Sequence, residues 1–254
     1  MNSNMLENDP DKIVATENAQ SDHSVKFGNP DYYHIQGRLY ADAGNYGEAQ
    51  IYFTQAIDLC FEILEDAYRW RATSYEWLDK GQEALNDYNW LVEHGYADSS
   101  IYEQRGSLKA QQKRYLDAIG DFTIAYHMRP HMLTLAKRAQ SYVKAKLYKE
   151  AIRDFSTIIE GNDPYPGLTA NALYSRGLAN LAAGNYQEAL TDLRQFVSSE
   201  ENYSAKIYYY IGLVYQKMGM MEEALENFRQ SDIDHDHPDA QHVKELLDSE
   251  DEGL

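Results

Sequence analysis

The sequence predicts an all-α fold: a right-handed superhelical α-solenoid of stacked helix hairpins, closed by a C-terminal capping helix. Three observations carry that expectation. A heptad, AGNYGEA at Ala43–Ala49, returns as AGNYQEA at Ala183–Ala189. Alanines recur at a near-constant period, at Ala49, Ala84, Ala118, Ala151, Ala189 and Ala224, spaced 35, 34, 33, 38 and 35 residues apart. Within each period the apolar residues recur at intervals of three and four, the stripe of an amphipathic helix.

Other columns keep the same register. An acid precedes each alanine: Glu48, Glu83, Asp117, Glu150, Glu188 and Glu223. Twelve residues upstream stands a small residue, Gly37, Ala72, Gly106, Ala139, Gly177 or Gly212, and four residues downstream a bulky one, Phe53, Tyr88, Phe122, Phe155, Leu193 or Phe228. Nine residues upstream, Tyr40, Tyr75, Tyr142 and Tyr215 agree, while Lys109 and Asn180 do not. Each period holds two helices: in the third, Ile101–Gln112 reads as one and Tyr115–Met128 as the next, ended by Pro130. Glycine inside a helix costs about 0.5–1 kcal/mol relative to alanine, so its recurrence at one column points to close helix packing.

These columns resemble the tetratricopeptide repeat family, met most fully in Tyr102, Gly106, Ala118, Phe122 and Pro130. The resemblance covers roughly Pro30 to Pro238. It implies six repeats, at about 30–63, 65–98, 99–132, 132–165, 170–203 and 205–237. Residues 1–29 read as a mobile tail because they lack a helical stripe. Residues 238–248, with Ala240, Val243, Leu246 and Leu247 at helical spacing, read as the capping helix that solenoids need over their last open face, and 249–254 as an acidic tail. The 38-residue spacing marks an irregular connection, Gly161–Thr169, read as a fixed proline-rich loop.

Composition narrows the function. A formal net charge of −18 opposes binding to nucleic acid or an anionic membrane, and no basic patch offsets it. The single cysteine, Cys60, has no partner for an intramolecular disulfide, no secretory signal opens the chain, and no run is long and apolar enough to span a bilayer. The expected location is cytoplasmic. Tyrosine accounts for 22 of the aromatics, against 7 phenylalanines and 3 tryptophans. Its apolar body and polar tip suit a core only partly screened from water.

No phosphate-binding glycine loop, nucleophile elbow or cysteine–histidine pair occurs, so neither an enzyme nor a cofactor is expected. The segment Asp232–His242, with His235 and His237, carries side chains that bind zinc or nickel. It reads first as a solvated acidic linker; a metal-dependent enzyme component is the alternative.

The family resemblance implies that the first helix of each repeat lines a concave groove. In repeats one to three the groove positions are polar and mixed in charge and include Arg38, Arg69 and Trp77; in repeats four to six they are largely apolar: Leu133, Val143, Tyr174, Leu178, Leu181, Tyr209 and Leu213, beside Gln140 and Lys137. A monomer seldom exposes a large apolar patch without using it. The expectation is therefore a non-catalytic interaction module (adaptor, scaffold or chaperone-like factor) that holds a protein partner's apolar peptide or amphipathic helix. Burial of the apolar half in a homodimer, or under the chain's own C-terminal cap or N-terminal tail, is the alternative. Some family members clamp a chaperone's C-terminal carboxylate; Arg69, Gln104 and Lys137 come near the needed places, but Thr73 and Leu133 stand where Asn and Lys belong.

Overall fold

A computed structural model describes residues 29–59, 64–161, 166–199 and 205–231. Among the described residues there are twelve α-helices and no strand. The first repeat supplies α1 (Pro30–Asp42) and α2 (Tyr46–Leu59), the second α3 (Leu64–Trp77) and α4 (Gly81–Glu93), the third α5 (Ser99–Gln111) and α6 (Tyr115–Met128). Then follow α7 (Met132–Lys144) and α8 (Tyr148–Glu160), α9 (Pro166–Ala183) and α10 (Tyr186–Ser199), and α11 (Lys206–Lys217) and α12 (Met221–Gln230). The chain divides into two compact units, one ending at Leu108 and the other beginning at Lys109. In the first unit α1 packs on α2, α2 on α3 and α3 on α4, and in the second each helix from α6 to α11 packs on the next.

Small residues set the helix spacing. At Gly37 an added Cβ would lie 2.7 Å from the Phe53 ring, at Gly177 2.8 Å from Leu193, and at Gly212 2.6 Å from Phe228. The bulky side chain of the second helix thus occupies the space a Cβ on the first would need. Phe53, Phe155, Leu193 and Phe228 are buried there together with the anchor alanines of the same hairpins.

The hairpin turns share one hydrogen-bond pattern. In the first, Gly44 N–H donates to the Ala41 carbonyl and Asn45 N–H to the Tyr40 carbonyl, the helix-end motif that needs a left-handed residue. Gly44, Gly184 and Gly219 supply it with φ near +80° (78°, 85° and 78°). Asp79, Lys113 and Lys146 stand at the same column with φ of 57°, 62° and 61°, a conformation that costs a side chain roughly 1–2 kcal/mol.

Two expectations change. The connection Gly161–Thr169 is not loop throughout: α9 begins at Pro166, because proline, with φ already helical and no N–H to leave unpaired, fits a first helical turn. Asn29, counted with the tail, instead caps α1, its Oδ1 accepting from Asp31 N–H at 2.9 Å. Residues 1–28, Cys60, the 238–248 cap, the acidic tail and the metal candidates of Asp232–His242 lie outside the described residues.

Replacing Lys146 with glycine should relieve the left-handed strain and stabilise the protein by about 1 kcal/mol, a rise in Tm of roughly 2–4 °C. Arg153→Gly, on the exposed side of α8, should lower Tm instead. A fall in Tm for Lys146→Gly would show that the turn carries no such strain.

Candidate functional site

A buried polar ladder orients the first helices. Arg71 on α3 grips Asp87 on α4 through Nε (2.9 Å) and Nη2 (2.7 Å) and reaches Thr54 of the preceding hairpin with Nη1 at 3.2 Å. In the second unit Arg138 holds Asp154 at 2.7 and 2.9 Å and Thr123 at 3.3 Å. Arg176 holds Asp192 at 2.9 and 2.6 Å and Ser156 at 2.8 Å. Each aspartate is buried. Burial by itself would depress the Arg71 and Arg138 guanidinium pKa values, but the facing aspartates more than reverse this and hold both above the ordinary value.

With each arginine turned toward the second helices, geometry sends other positions outward. At 100° per residue, positions two before, two after and five after the arginine lie about 140–200° around the helix from it. In the second unit these are Ala136, which stays buried, with Gln140 and Val143 on α7, and Tyr174, Leu178 and Leu181 on α9; on α11, where Ile211 stands in the arginine column, the corresponding positions are Tyr209, Leu213 and Gln216.

Gln140 is exposed, and Val143, Tyr174, Leu178, Leu181 and Leu213 are half-buried. Leu133 is 46% exposed at the start of α7. Leu178, Leu181 and Leu213 rest on a core that includes Leu193, Ile211 and Val214, each showing its outer side to solvent. Tyr174 packs edge-on to Tyr210 at 6.1 Å; burial, with Tyr210 beside it, pushes its phenol pKa up to about 12. Lys137 is half-buried and already engaged.

Tyr209 departs from the expectation. It is 1% exposed, a core residue rather than a groove residue. Its ring lies 6.0 Å from Phe228, so it packs inward onto α12 and offers no surface.

In the first unit Arg38 is exposed and lies 4.7 Å from the Trp70 ring centroid. Trp77 is 68% exposed, stacked on Tyr46 at 5.2 Å and 4°. Arg69 is spent within the unit: its guanidinium contacts Glu65 at 3.3 Å and Asp98 at 3.1 Å. Asp98 in turn caps α5, its Oδ1 accepting from the backbone of Ser100 (2.9 Å) and Ile101 (3.0 Å) and from the Ser100 hydroxyl (2.7 Å). A carboxylate clamp built on Arg69 would first have to displace these partners.

Among the described residues no helix is long and apolar enough to cross a membrane, and no cluster of three or more His, Cys, Asp or Glu is placed to hold a metal. The ladder was missed by sequence reasoning although its signal is periodic: Arg71, Arg105, Arg138 and Arg176 precede the small-residue column, and Asp87, Asp121, Asp154 and Asp192 follow the anchor alanine by three.

Tetratricopeptide repeat models match residues 136–204, and residues 30–63 and 205–232, together just over half of the chain. The chain belongs to the tetratricopeptide repeat family. No curated protein matches it in sequence. Among solved structures it is similar to YrrB, described as a tetratricopeptide repeat protein with an unusual peptide-binding site, at 15% identity and TM-score 0.63, over 77% of this chain and 95% of that one. It is also similar to MamA from Desulfovibrio magneticus RS-1, at 19% identity and TM-score 0.58, over 76% and 99%. Cut9 with Hcn1, an APC/C hetero-tetramer, matches at 17% identity and TM-score 0.53, over 87% of this chain and 42% of that one. Identities this low carry the tetratricopeptide repeat fold and nothing finer.

The Asp98 cap gives a pH-dependent expectation. Partial burial raises its carboxyl pKa, but the Ser100 and Ile101 hydrogen bonds and the Arg69 charge outweigh that and lower it overall. A depressed folded pKa contributes stability above the unfolded value, about 3.9, that is lost as pH falls through the folded value. Asp98→Ala should therefore cost about 1 kcal/mol at pH 7, the ordinary worth of a cap. The gap to wild type should close as urea melts are repeated toward pH 2–3; a gap unchanged by acid would show that the carboxylate charge plays no part.

Proposed function

We propose that this chain is a non-catalytic adaptor or scaffold, and that the stripe of Val143, Tyr174, Leu178, Leu181 and Leu213, with Leu133 at its edge, holds an apolar or amphipathic segment of a protein partner. One observation carries the reading: three successive first helices present half-buried apolar side chains at corresponding positions in one unit. Residues that already have one side packed need little ordering when a partner covers the other, so side-chain entropy opposes binding only weakly. Gln140, exposed beside them, supplies a polar contact for register. YrrB, whose printed description names a peptide-binding site, is in keeping with a peptide as the occupant.

Affinity capture from native lysate, wild type against Leu178→Asp/Leu213→Asp, tests the assignment once circular dichroism shows both proteins equally helical. The reading expects partners held by wild type and lost from the double variant. An unchanged partner list would move the binding surface elsewhere, and a wild type that light scattering finds dimeric, with a monomeric variant, would assign the stripe to self-assembly.

A further inference from the structure

A cleft of about 420 Å³ lies within the second unit, between the fourth and fifth hairpins of the chain, lined by Ser156 of α8, Arg176 and Asn180 of α9, Asn185 of the turn, and Thr191 and Asp192 of α10. Arg176 points away from the stripe of Tyr174 and Leu178, so this is a separate face.

The column containing Asn180 explains why the cleft exists. Four sister repeats carry a tyrosine there: Tyr40, Tyr75, Tyr142 and Tyr215. In the second repeat the Arg71 guanidinium lies 5.9 Å from the Tyr75 ring and 5.0 Å from Tyr68. In the fourth, Arg138 lies 5.9 Å from Tyr142 and 5.4 Å from Tyr126. The corresponding neighbours of Arg176 are Asn180, Leu173 and Ile159, and among the described residues no aromatic ring lies over it. Asn180 is short and is held down, donating to Asp192 at 3.1 Å and accepting from Asn185 at 3.2 Å. The volume that a ring fills in the sister repeats is left open.

The electrostatics select the guest. Three of the five Arg176 N–H donors are engaged by Asp192 and Ser156, the Asp192 carboxylate already balances the guanidinium charge, and Glu188 also lines the cleft, so the local charge opposes an anion there. The guanidinium face is available, and a ring is the group that pairs with it. Asn185 and Thr191 supply polar atoms for a hydroxyl.

We propose that this cleft is a second recognition site, taking a tyrosine side chain from a protein partner, stacked on Arg176 where the sister repeats use their own tyrosine. This assignment does not rest on the apolar stripe.

The test is an NMR titration of the ¹⁵N-labelled full chain with N-acetyl-tyrosinamide, and with N-acetyl-leucinamide as control, read at the Asn180 side-chain amide and the Arg176 Nε–H. A guest of this size should bind in the millimolar range. Expected are saturable shifts with the tyrosine amide, responses several-fold weaker with the leucine amide, and no response to either at the Arg176 Nε–H, the probe that remains, in Asn180→Tyr, which restores the sister residue. Thr191→Trp, which crowds the cleft from exposed α10 surface without touching the Arg176–Asp192 pair, should lose them as well. Leu178→Asp should leave the response intact. The proposal is overturned if the tyrosine amide gives no saturable shift, if the leucine amide does as well, if both cleft variants keep the response, or if Leu178→Asp removes it.

Discussion

A buried aspartate tolerates few surroundings. Asp87, Asp154 and Asp192 are each 3% exposed, and an ionised carboxylate so placed is stable only with a well-aligned cation. The guanidinium sixteen residues earlier supplies it with a two-pronged fork and keeps a third donor for the hairpin before. One side chain therefore joins three helices. Its reach fixes where the first helix crosses the second and how the pair meets its predecessor.

Much of the rest follows from that constraint. The residue beside each arginine must be small, because the crossing brings a bulky side chain into the space of its Cβ, as Leu193 does at Gly177; the column stays small at Gly37 and Gly212, where no arginine precedes it. The turn must reverse within three residues, so it takes a left-handed position, even where lysine occupies it. The 38-residue spacing between Ala151 and Ala189 is absorbed in the connection before α9, and Arg176 still meets Ser156, as Arg138 meets Thr123. With the arginine facing inward, Leu178 is left facing outward. Packing and surface are thus two sides of one helix orientation.

The period, the hairpins and the small-residue column were legible in the sequence, because each is a recurrence of like residues at fixed spacing. The ladder recurs as regularly but was passed over, since charged residues on helices ordinarily mark solvated faces; only the pairing of the arginine column with the aspartate column marks burial. Tyr209 shows where column reasoning stops. Its position matches Tyr174, but the Phe228 ring behind it draws the side chain inward, and only three-dimensional packing carries that information. The break in the tyrosine column at Asn180 was visible in the sequence, but the cleft beside Arg176 was not, because it depends on how the neighbouring helices pack. Pro166 was read as loop because proline usually ends a helix, yet here it begins one.

The central claim is that the buried Arg–Asp pairs hold the hairpins in register, and a double-mutant cycle on Arg138 and Asp154 in urea tests it directly. Arg138→Met alone should cost about 3–5 kcal/mol by leaving Asp154 buried and uncompensated, and Arg138→Met/Asp154→Leu should recover most of that loss. A single variant costing no more than about 1 kcal/mol, as an exposed ion pair would, would contradict the account.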